Sequence, residues 1–380
     1  MRRGSDESPF FKRILELNFS CVRELESYYY EFFITSISNF RKFFLNPLAS
    51  FLSSLLTRPS EIQEVVLPSK QRITILRDDR LAFGIGTKFR KFFGIHSELE
   101  KKGIRGVILQ GELHSNLLAS FSFLFRVFGY RVRTYSYSRD PKRLTFNSRI
   151  VKNYSHTLDV IHSRSLWKEG LLRQKSRRGD VFELEGSGNR FFDSDSSATE
   201  SPDSFFVPDV LIPEYGFGPE AAQGLNSFWK QIPISDFDHL VVDLGSGLTW
   251  LSAKNFFGES IPIRGVSIGL PKSKMVSWLR EKKMELQFSG FEIDEDFIWE
   301  SENVSGFGSK NKDIFHFCNL FYSDYSIPLE PIYSGKTLFS IQKRMERSEI
   351  SGRVLYLHQG GLWNFLDSFL PRKKGDGAKK

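Results

Sequence analysis

From Gln71 to Tyr137 the chain alternates short strand-like runs with longer helix-like ones. Residues 71–76 alternate in polarity and end in charge at Arg77, Asp78 and Asp79, as a strand edge does. Residues 89–103 have helical character and stop at Gly103, residues 106–110 form a short apolar run, residues 117–128 an apolar helix closed by Gly129, and residues 131–137 a further strand. Strands separated by single helices need crossover connections, so they pair in parallel, and the fold class is α/β with an open parallel sheet. The same grammar returns later, with strands at 210–213, 239–244, 264–268 and 354–357 and helices at 219–230, 273–283 and 336–348. A chain of 380 residues with this pattern is expected to make two domains.

Composition narrows the function classes. The net charge of +8 comes from scattered Lys and Arg and from the basic run at 372–380, and it fits a solvated surface. No zinc-finger, helix-turn-helix or aromatic RNA-binding motif supports a nucleic-acid partner. Cys21 and Cys318 are too few and too far apart for a disulfide framework, which points to a reduced, cytoplasmic setting. No run of apolar residues is long enough for a membrane span, and neither a signal peptide nor a metal site is expected.

Two segments stand apart from the alternation. Residues 1–60 are rich in Phe and Tyr with interleaved Lys and Arg, and read as a helical extension in two pieces split near Pro47. Its polar face also carries Glu24, Glu26 and Glu31, which favours packing on the core or on a second subunit over a membrane surface. Residues 173–205 are dense in Ser, Asp and Gly and read as a polar, disordered insertion.

Several short motifs carry potential chemistry. Gly245 to Thr249 follows an apolar strand and precedes a helix, the arrangement in which converging N–H groups and a helix dipole cradle a phosphate. It is not a Walker loop. Lys88 lies beside Gly84 and Gly86, with Arg90 and Lys91 as cationic neighbours, and a lysine becomes nucleophilic when burial or nearby cations lower its pKa. His114, Ser115 and Asn116 stand at a strand-to-helix turn, where they can bind an anion or simply cap the helix. His358 to Gly361 follows the last strand, and Tyr333 to Lys336 precedes a helix.

Taken in order, these segments resemble the 1-aminocyclopropane-1-carboxylate deaminase/D-cysteine desulfhydrase family of pyridoxal-phosphate enzymes. The likeness rests on Arg77-Asp78-Asp79, the GTKFRK run at 86–91, HSN at 114–116, IPEYGFGPEAAQGL at 212–225, GSGLT at 245–249, GVSIGLP at 265–271, LEPIYSGK at 329–336 and LHQGG at 357–361. It covers roughly residues 60–380. The resemblance implies the two-domain, open parallel-sheet fold of the tryptophan synthase β-like class (pyridoxal-phosphate fold type II). A large cofactor domain would comprise 61–88 and 206–380, and a small α/β domain 89–172.

It also implies roles. Lys88 would bond the cofactor covalently and act as base, Asn116 would hold the ring hydroxyl, and Ser246, Gly247 and Thr249 would bind its phosphate. Ser334 would face the pyridine nitrogen, where the family has Glu in deaminases and Thr in desulfhydrase-like members. Ser115 would bind the substrate carboxylate and Tyr333 would lie over the substrate. A hydroxyl rather than a carboxylate at the ring nitrogen favours β-elimination, giving pyruvate, ammonia and a leaving group such as sulfide. The expectation is therefore a homodimeric, cytoplasmic lyase or deaminase of a small amino acid. The alternative is a homologue that keeps the fold, with or without the cofactor, and has a binding or regulatory role. The chain departs from the family at His114 (Gln), Tyr215 (Gly), Leu248 (a small residue) and Leu117–Leu118 (a polar residue and Thr that help hold the substrate carboxylate).

Overall fold

The computed structural model describes residues 45–176, 209–302 and 311–363. Two sheets organise it. The larger has six strands in the order β1-β2-β10-β7-β8-β9. They are β1 (Ile62–Val66), β2 (Arg72–Leu76), β7 (His239–Leu244), β8 (Ile263–Ser267), β9 (Ile298–Glu300) and β10 (Val354–Leu357). Only the β1–β2 hairpin is antiparallel; every other pairing in this sheet is parallel. The smaller sheet is wholly parallel, in the order β5-β4-β3-β6, from β3 (Gly106–Glu112), β4 (Arg131–Tyr137), β5 (Thr157–Ile161) and β6 (Val210–Leu211).

Helices cover the sheet faces, as the crossovers require. They are α1 (Leu45–Leu55), α2 (Thr87–Lys101), α3 (Asn116–Val127), α4 (Phe146–Tyr154), α5 (Arg164–Ser176), α6 (Pro219–Gln223), α7 (Asn226–Trp229), α8 (Leu248–Phe257), α9 (Lys272–Glu285), α10 (Lys312–Tyr325) and α11 (Ser334–Glu346). One core runs between the sheets through Phe89, Phe92, Phe121, Phe125, Leu248 and Trp250. A second lies on the other face of the large sheet, under α10 and α11, around Ile75, Val241, Ile314, Phe321 and Tyr356. No helix among the described residues is long and apolar enough to cross a membrane.

Several expectations need correcting. Val210–Leu211 pairs with β3, so this strand belongs to the small sheet and not, as the boundary at 206 implied, to the large one. The stretch 219–230 is two short helices, α6 and α7, instead of one. The region after α9, read as loop-rich, contains β9 and α10. α5 continues to Ser176, past the expected start of the polar insertion at 173. Pro47 is the third described residue of α1, and the expected split near it lies at the edge of the described residues. The remainder of the N-terminal extension and residues 177–208 lie outside the described residues.

Candidate active site

The loops after the C-terminal ends of β3, β7 and β10 meet at one cleft, the position where open α/β sheets bind ligands. Lys88 enters it from the first turn of α2. The approach is a tight turn with three successive residues at positive φ: Ala82 (49°), Phe83 (60°) and Gly84 (83°). For Ala and Phe this region costs free energy, and the surrounding contacts hold it. The Gly361 N–H donates to the Gly84 carbonyl at 2.8 Å and the Thr87 N–H to the Gln359 carbonyl at 3.1 Å. Gly86, at φ 70°, lies so close that a Cβ there would sit 2.1 Å from the Gln359 carbonyl oxygen.

The charged residues before Lys88 brace this turn. Arg77 donates to both oxygens of Asp79 at 2.8 and 2.9 Å. Arg90 donates to Asp78 at 2.7 Å and to Ser60 at 3.0 Å, with its guanidinium over the Phe228 ring. All four ion-pair members are at most 2 % exposed. Arg90 is therefore neutralised below the helix and does not act on Lys88. The second amine near Lys88 is Lys91, three residues along α2, on which the Lys88 charge acts.

Burial pushes the Lys88 amine down from the usual lysine pKa, against the opposing pull of the Glu330 and Asp243 carboxylates. Burial, with the Lys88 charge second, brings Lys91 down to about 7. No carboxylate among the described residues pairs with Lys91, which is buried. The i, i+3 spacing of Lys88 and Lys91 was the sequence signal for this second amine.

Asn116 begins α3 and is fixed by Asn147, whose Nδ2 donates to its Oδ1 at 2.9 Å and to the His114 carbonyl at 2.9 Å. This leaves Asn116 Nδ2 as a buried donor without an acceptor. A native site rarely leaves such a donor unless a ligand takes the bond. The donor is close to Lys88: a Cβ built on Gly361 would lie 2.7 Å from Asn116 Nδ2 and 3.6 Å from Lys88 Nζ. Glycine at 361 thus leaves open a gap that both groups border.

Ser115 caps α3, its Oγ accepting from the Leu118 N–H at 3.1 Å. Its own proton remains available to a ligand, as do the N–H groups of the first turn. The His114 ring is held by Thr145 (2.9 Å) and Ser138 (3.1 Å), so it braces the loop. Of the two leucines, Leu118 is 1 % exposed and belongs to the core. Only Leu117, half-buried near Gly216, borders the cleft.

Across the cleft Gly245 to Thr249 joins β7 to α8. Gly247, at φ 84°, caps α8 without any side chain in the cap. The first N–H groups of α8 therefore face outward with the helix dipole, a ready anion site. The Thr249 hydroxyl donates to Gln359 Oε1 at 2.6 Å, and Gln359 Nε2 donates to the Asp243 carbonyl at 3.0 Å. The Trp278 indole N–H donates to the Ser246 carbonyl at 2.9 Å. Gln359, not singled out from the sequence, thus ties the phosphate-type loop to the Lys88 turn.

On the third side, Tyr333 packs against this loop: a Cβ at Gly245 would be 3.1 Å from its ring. Ser334 opens α11 fully buried, its Oγ accepting from the Glu330 N–H at 2.9 Å and directed at the Glu330 carbonyl at 3.3 Å. The Glu330 carboxylate accepts from the N–H groups of Ile332, Tyr333 and Ser334 at 2.8, 2.5 and 2.8 Å. Burial nevertheless raises its pKa to about 7. His358 is satisfied by the Pro328 carbonyl at 2.8 Å. Tyr215 stands at the mouth with φ 66°, its hydroxyl accepting from Arg164 at 3.2 Å.

One mainly parallel and one wholly parallel sheet flanked by helices, with lysine, asparagine and helix-N-terminus groups meeting at their C-terminal edges, define the tryptophan synthase β-like fold, pyridoxal-phosphate fold type II. The chain is similar in structure to an ACC deaminase homologue, at TM-score 0.62 and 20% identity over 85% of this chain and 99% of the other. It is similar also to a hydrogen sulfide-producing enzyme from Fusobacterium nucleatum (TM-score 0.54, 13% identity, 81% and 95% covered). A third similar structure is threonine deaminase isoform 2 from Solanum lycopersicum (TM-score 0.53, 11% identity, 85% and 91% covered). No family profile matches the chain, and no curated protein matches it by sequence.

Proposed function

We propose that this protein binds pyridoxal phosphate and acts as a lyase or deaminase on a small amino acid. One observation carries the reading: the Lys88 amine, its pKa lowered by burial, borders the same gap as the unpaired Asn116 Nδ2. A phosphorylated aromatic aldehyde with a ring oxygen matches that pair of groups and the open N-terminus of α8.

When bound, pyridoxal phosphate supplies an electron sink that stabilises negative charge at the α-carbon of an amino acid. The chain's residues then have distinct parts. Lys88 would hold the cofactor, and its amine, with a lowered pKa, would serve as the base for the α-carbon proton. Asn116 Nδ2 donates to the ring oxygen. The N–H groups at Ser246, Gly247 and Thr249 would hold the phosphate at the open N-terminus of α8. Ser334, being neutral, leaves the ring nitrogen without an adjacent carboxylate at that position, which favours β-elimination. Ser115 Oγ and the first N–H groups of α3 hold the substrate carboxylate, a task that does not depend on the side chains at 117 and 118. Tyr333 closes the substrate side. Among the activities of similar structures, sulfide release and deamination both belong to this chemistry, and D-cysteine desulfhydrase-like elimination to pyruvate, ammonia and sulfide is the preferred form. We place the protein in the cytoplasm as a homodimer.

The test is spectroscopic and then catalytic. Purified protein with added pyridoxal phosphate should show a visible absorption band that Lys88→Ala abolishes. Incubation with D-cysteine should then release pyruvate. A band without pyruvate from any small amino acid would favour a homologue that keeps the cofactor in a binding role; no band at all would overturn the reading.

A further inference from the structure

The turn that delivers Lys88 is held from outside by residues 361–363, at the end of the described chain. Ala82 and Phe83 stand at φ 49° and 60°, where a residue with a side chain is strained, and Gly84 follows at 83°. Within the turn the Ile85 N–H donates to the Ala82 carbonyl at 3.2 Å and the Gly86 N–H to the Leu81 carbonyl at 3.1 Å. The next two carbonyls face away, toward 361–363. The Gly84 carbonyl accepts from the Gly361 and Leu362 N–H groups at 2.8 and 3.2 Å. The Phe83 carbonyl accepts from the Trp363 indole N–H at 2.9 Å. The Gly84 bonds come from the backbone and do not depend on side-chain type. The Phe83 bond depends on tryptophan at 363.

Trp363 is 2 % exposed. Its ring meets Phe123 with centroids 6.0 Å apart and Phe146 of α4 at 5.9 Å. The Phe83 ring meets the same Phe123 at 6.3 Å, and Phe51 of α1 at 6.4 Å. Phe123 lies two turns along α3 from Asn116. One indole therefore bonds the turn that carries Lys88 and packs on the helix that carries Asn116. We propose that Trp363 is a positioning residue for Lys88: its N–H fixes the Phe83 carbonyl, which keeps the strained turn in the conformation that holds the amine beside Asn116 over Gly361. This rests on reading Lys88 as the cofactor's lysine. Without the indole donor, the Phe83 carbonyl gains by rotating toward another donor, and the same rotation relieves the strain at Ala82 and Phe83. Lys88, five residues on, then moves with the turn.

Trp363→Phe keeps a ring against Phe123 and Phe146 and removes the N–H. Trp167→Phe is the matched control. The Trp167 indole, 1 % exposed, donates to the Tyr135 carbonyl of β4 at 3.0 Å, so this variant loses a bond of the same kind in the small sheet. When the full chain is mixed with pyridoxal phosphate, the visible band should grow about tenfold more slowly in Trp363→Phe and at the unmodified rate in Trp167→Phe. A second readout needs no cofactor: the pH profile of Lys88 reductive methylation by formaldehyde, followed by peptide mass spectrometry. It should move upward by about one pH unit in Trp363→Phe and stay in place in Trp167→Phe, as the released amine meets water. Glu330, Asp243 and Lys91, the charged groups coupled to Lys88, are the same in every variant, so such a shift reports a displaced amine. If Trp363→Phe fails to fold, 3-benzothienylalanine in place of Trp363 keeps the shape of the indole with sulfur where the N–H was, and takes the same two measurements. An unmoved pH profile overturns the proposal, as does an equal shift in the Trp167 control. An unmodified chain that forms no band overturns the cofactor reading instead, and the pH profile then decides on Trp363.

Discussion

Lys88 Nζ and Asn116 Nδ2 face the same gap over Gly361, where a Cβ would stand 3.6 Å from the first and 2.7 Å from the second. Lys88 comes from the large sheet's side through the 82–86 turn, and Asn116 from the small sheet through β3. The gap therefore exists only when both sheets are in place, and its width is set by a residue that has no side chain.

Gly361→Ala should accordingly weaken pyridoxal-phosphate binding by at least tenfold. Alanine at φ 85° is strained, on the order of 1–2 kcal/mol, and its methyl would also enter the gap. Gly129→Ala separates the two effects, since Gly129 has φ 83° but nothing within 4 Å of a Cβ. Spectrophotometric titration should find cofactor affinity unchanged in Gly129→Ala. Equal losses in both variants would mean that strain alone is responsible.

Asp78→Ala should destabilise the fold by about 3–5 kcal/mol, because it leaves the Arg90 guanidinium buried and uncompensated. The comparison is Arg72→Ala, which removes a pair whose members are 71% and 54% exposed and should cost less than about 1 kcal/mol. Urea midpoints of the two variants, at equal m-value, check the difference. Similar small losses would show that the Asp78–Arg90 pair does not brace the Lys88 turn.

Much of this architecture could be read from the residues in order, because local signals mark it. Strand–helix alternation gave the parallel sheets, and Gly, Ser and Asn at strand ends marked the cleft. What could not be read depends on contacts distant in sequence. Arg90 looked like a cation for Lys88 until folding brought Asp78 and Phe228 against it. The α10 helix has a stripe at Ile314, Cys318, Phe321 and Tyr325 with helical spacing, a signal available but masked by its polar surroundings. Gln359 lies within the LHQGG run, but its part as a tie follows only from the loops that cross at the cleft. The chemistry assigned to Ser115 and Ser334 rests on resemblance, since their hydroxyls also serve ordinary capping and turn geometry.

Lys91→Met should make the protein more stable. Burial lowers the Lys91 pKa from 10.5 to about 7, so the folded state refuses a proton that the unfolded chain accepts between those values. Its penalty is absent above pH 10.5 and grows as pH falls toward 7. Removing the amine should therefore raise stability near pH 8 by on the order of 3 kcal/mol and flatten the rise in stability above neutrality. Denaturant titrations from pH 7 to 10 test this. If the variant is less stable at pH 8, the amine has a partner when folded and the sign is reversed.

Glu330 gives the opposite slope. Burial raises its pKa from 4.5 to about 7, against three N–H bonds that favour the charged form. The folded state here holds a proton that the unfolded chain releases. Its contribution is fully present below pH 4.5 and is lost as pH rises through about 7. The loss amounts to about 3 kcal/mol for this group. Glu112, raised to about 7 by burial, adds a slope of the same sign, reduced by its greater exposure to water. Glu330→Gln cannot titrate, so its stability between pH 5 and 7 should fall less steeply than that of the unmodified chain, with the Glu112 share remaining. The Glu330 charge also holds the Lys88 pKa up, so the same variant should shift Lys88 reactivity toward lower pH. Thermal midpoints across pH 5–8 and the pH profile of Lys88 modification by an amine-reactive aldehyde give two independent readouts. Parallel stability curves for the two proteins would place the Glu330 proton off the carboxylate throughout this range.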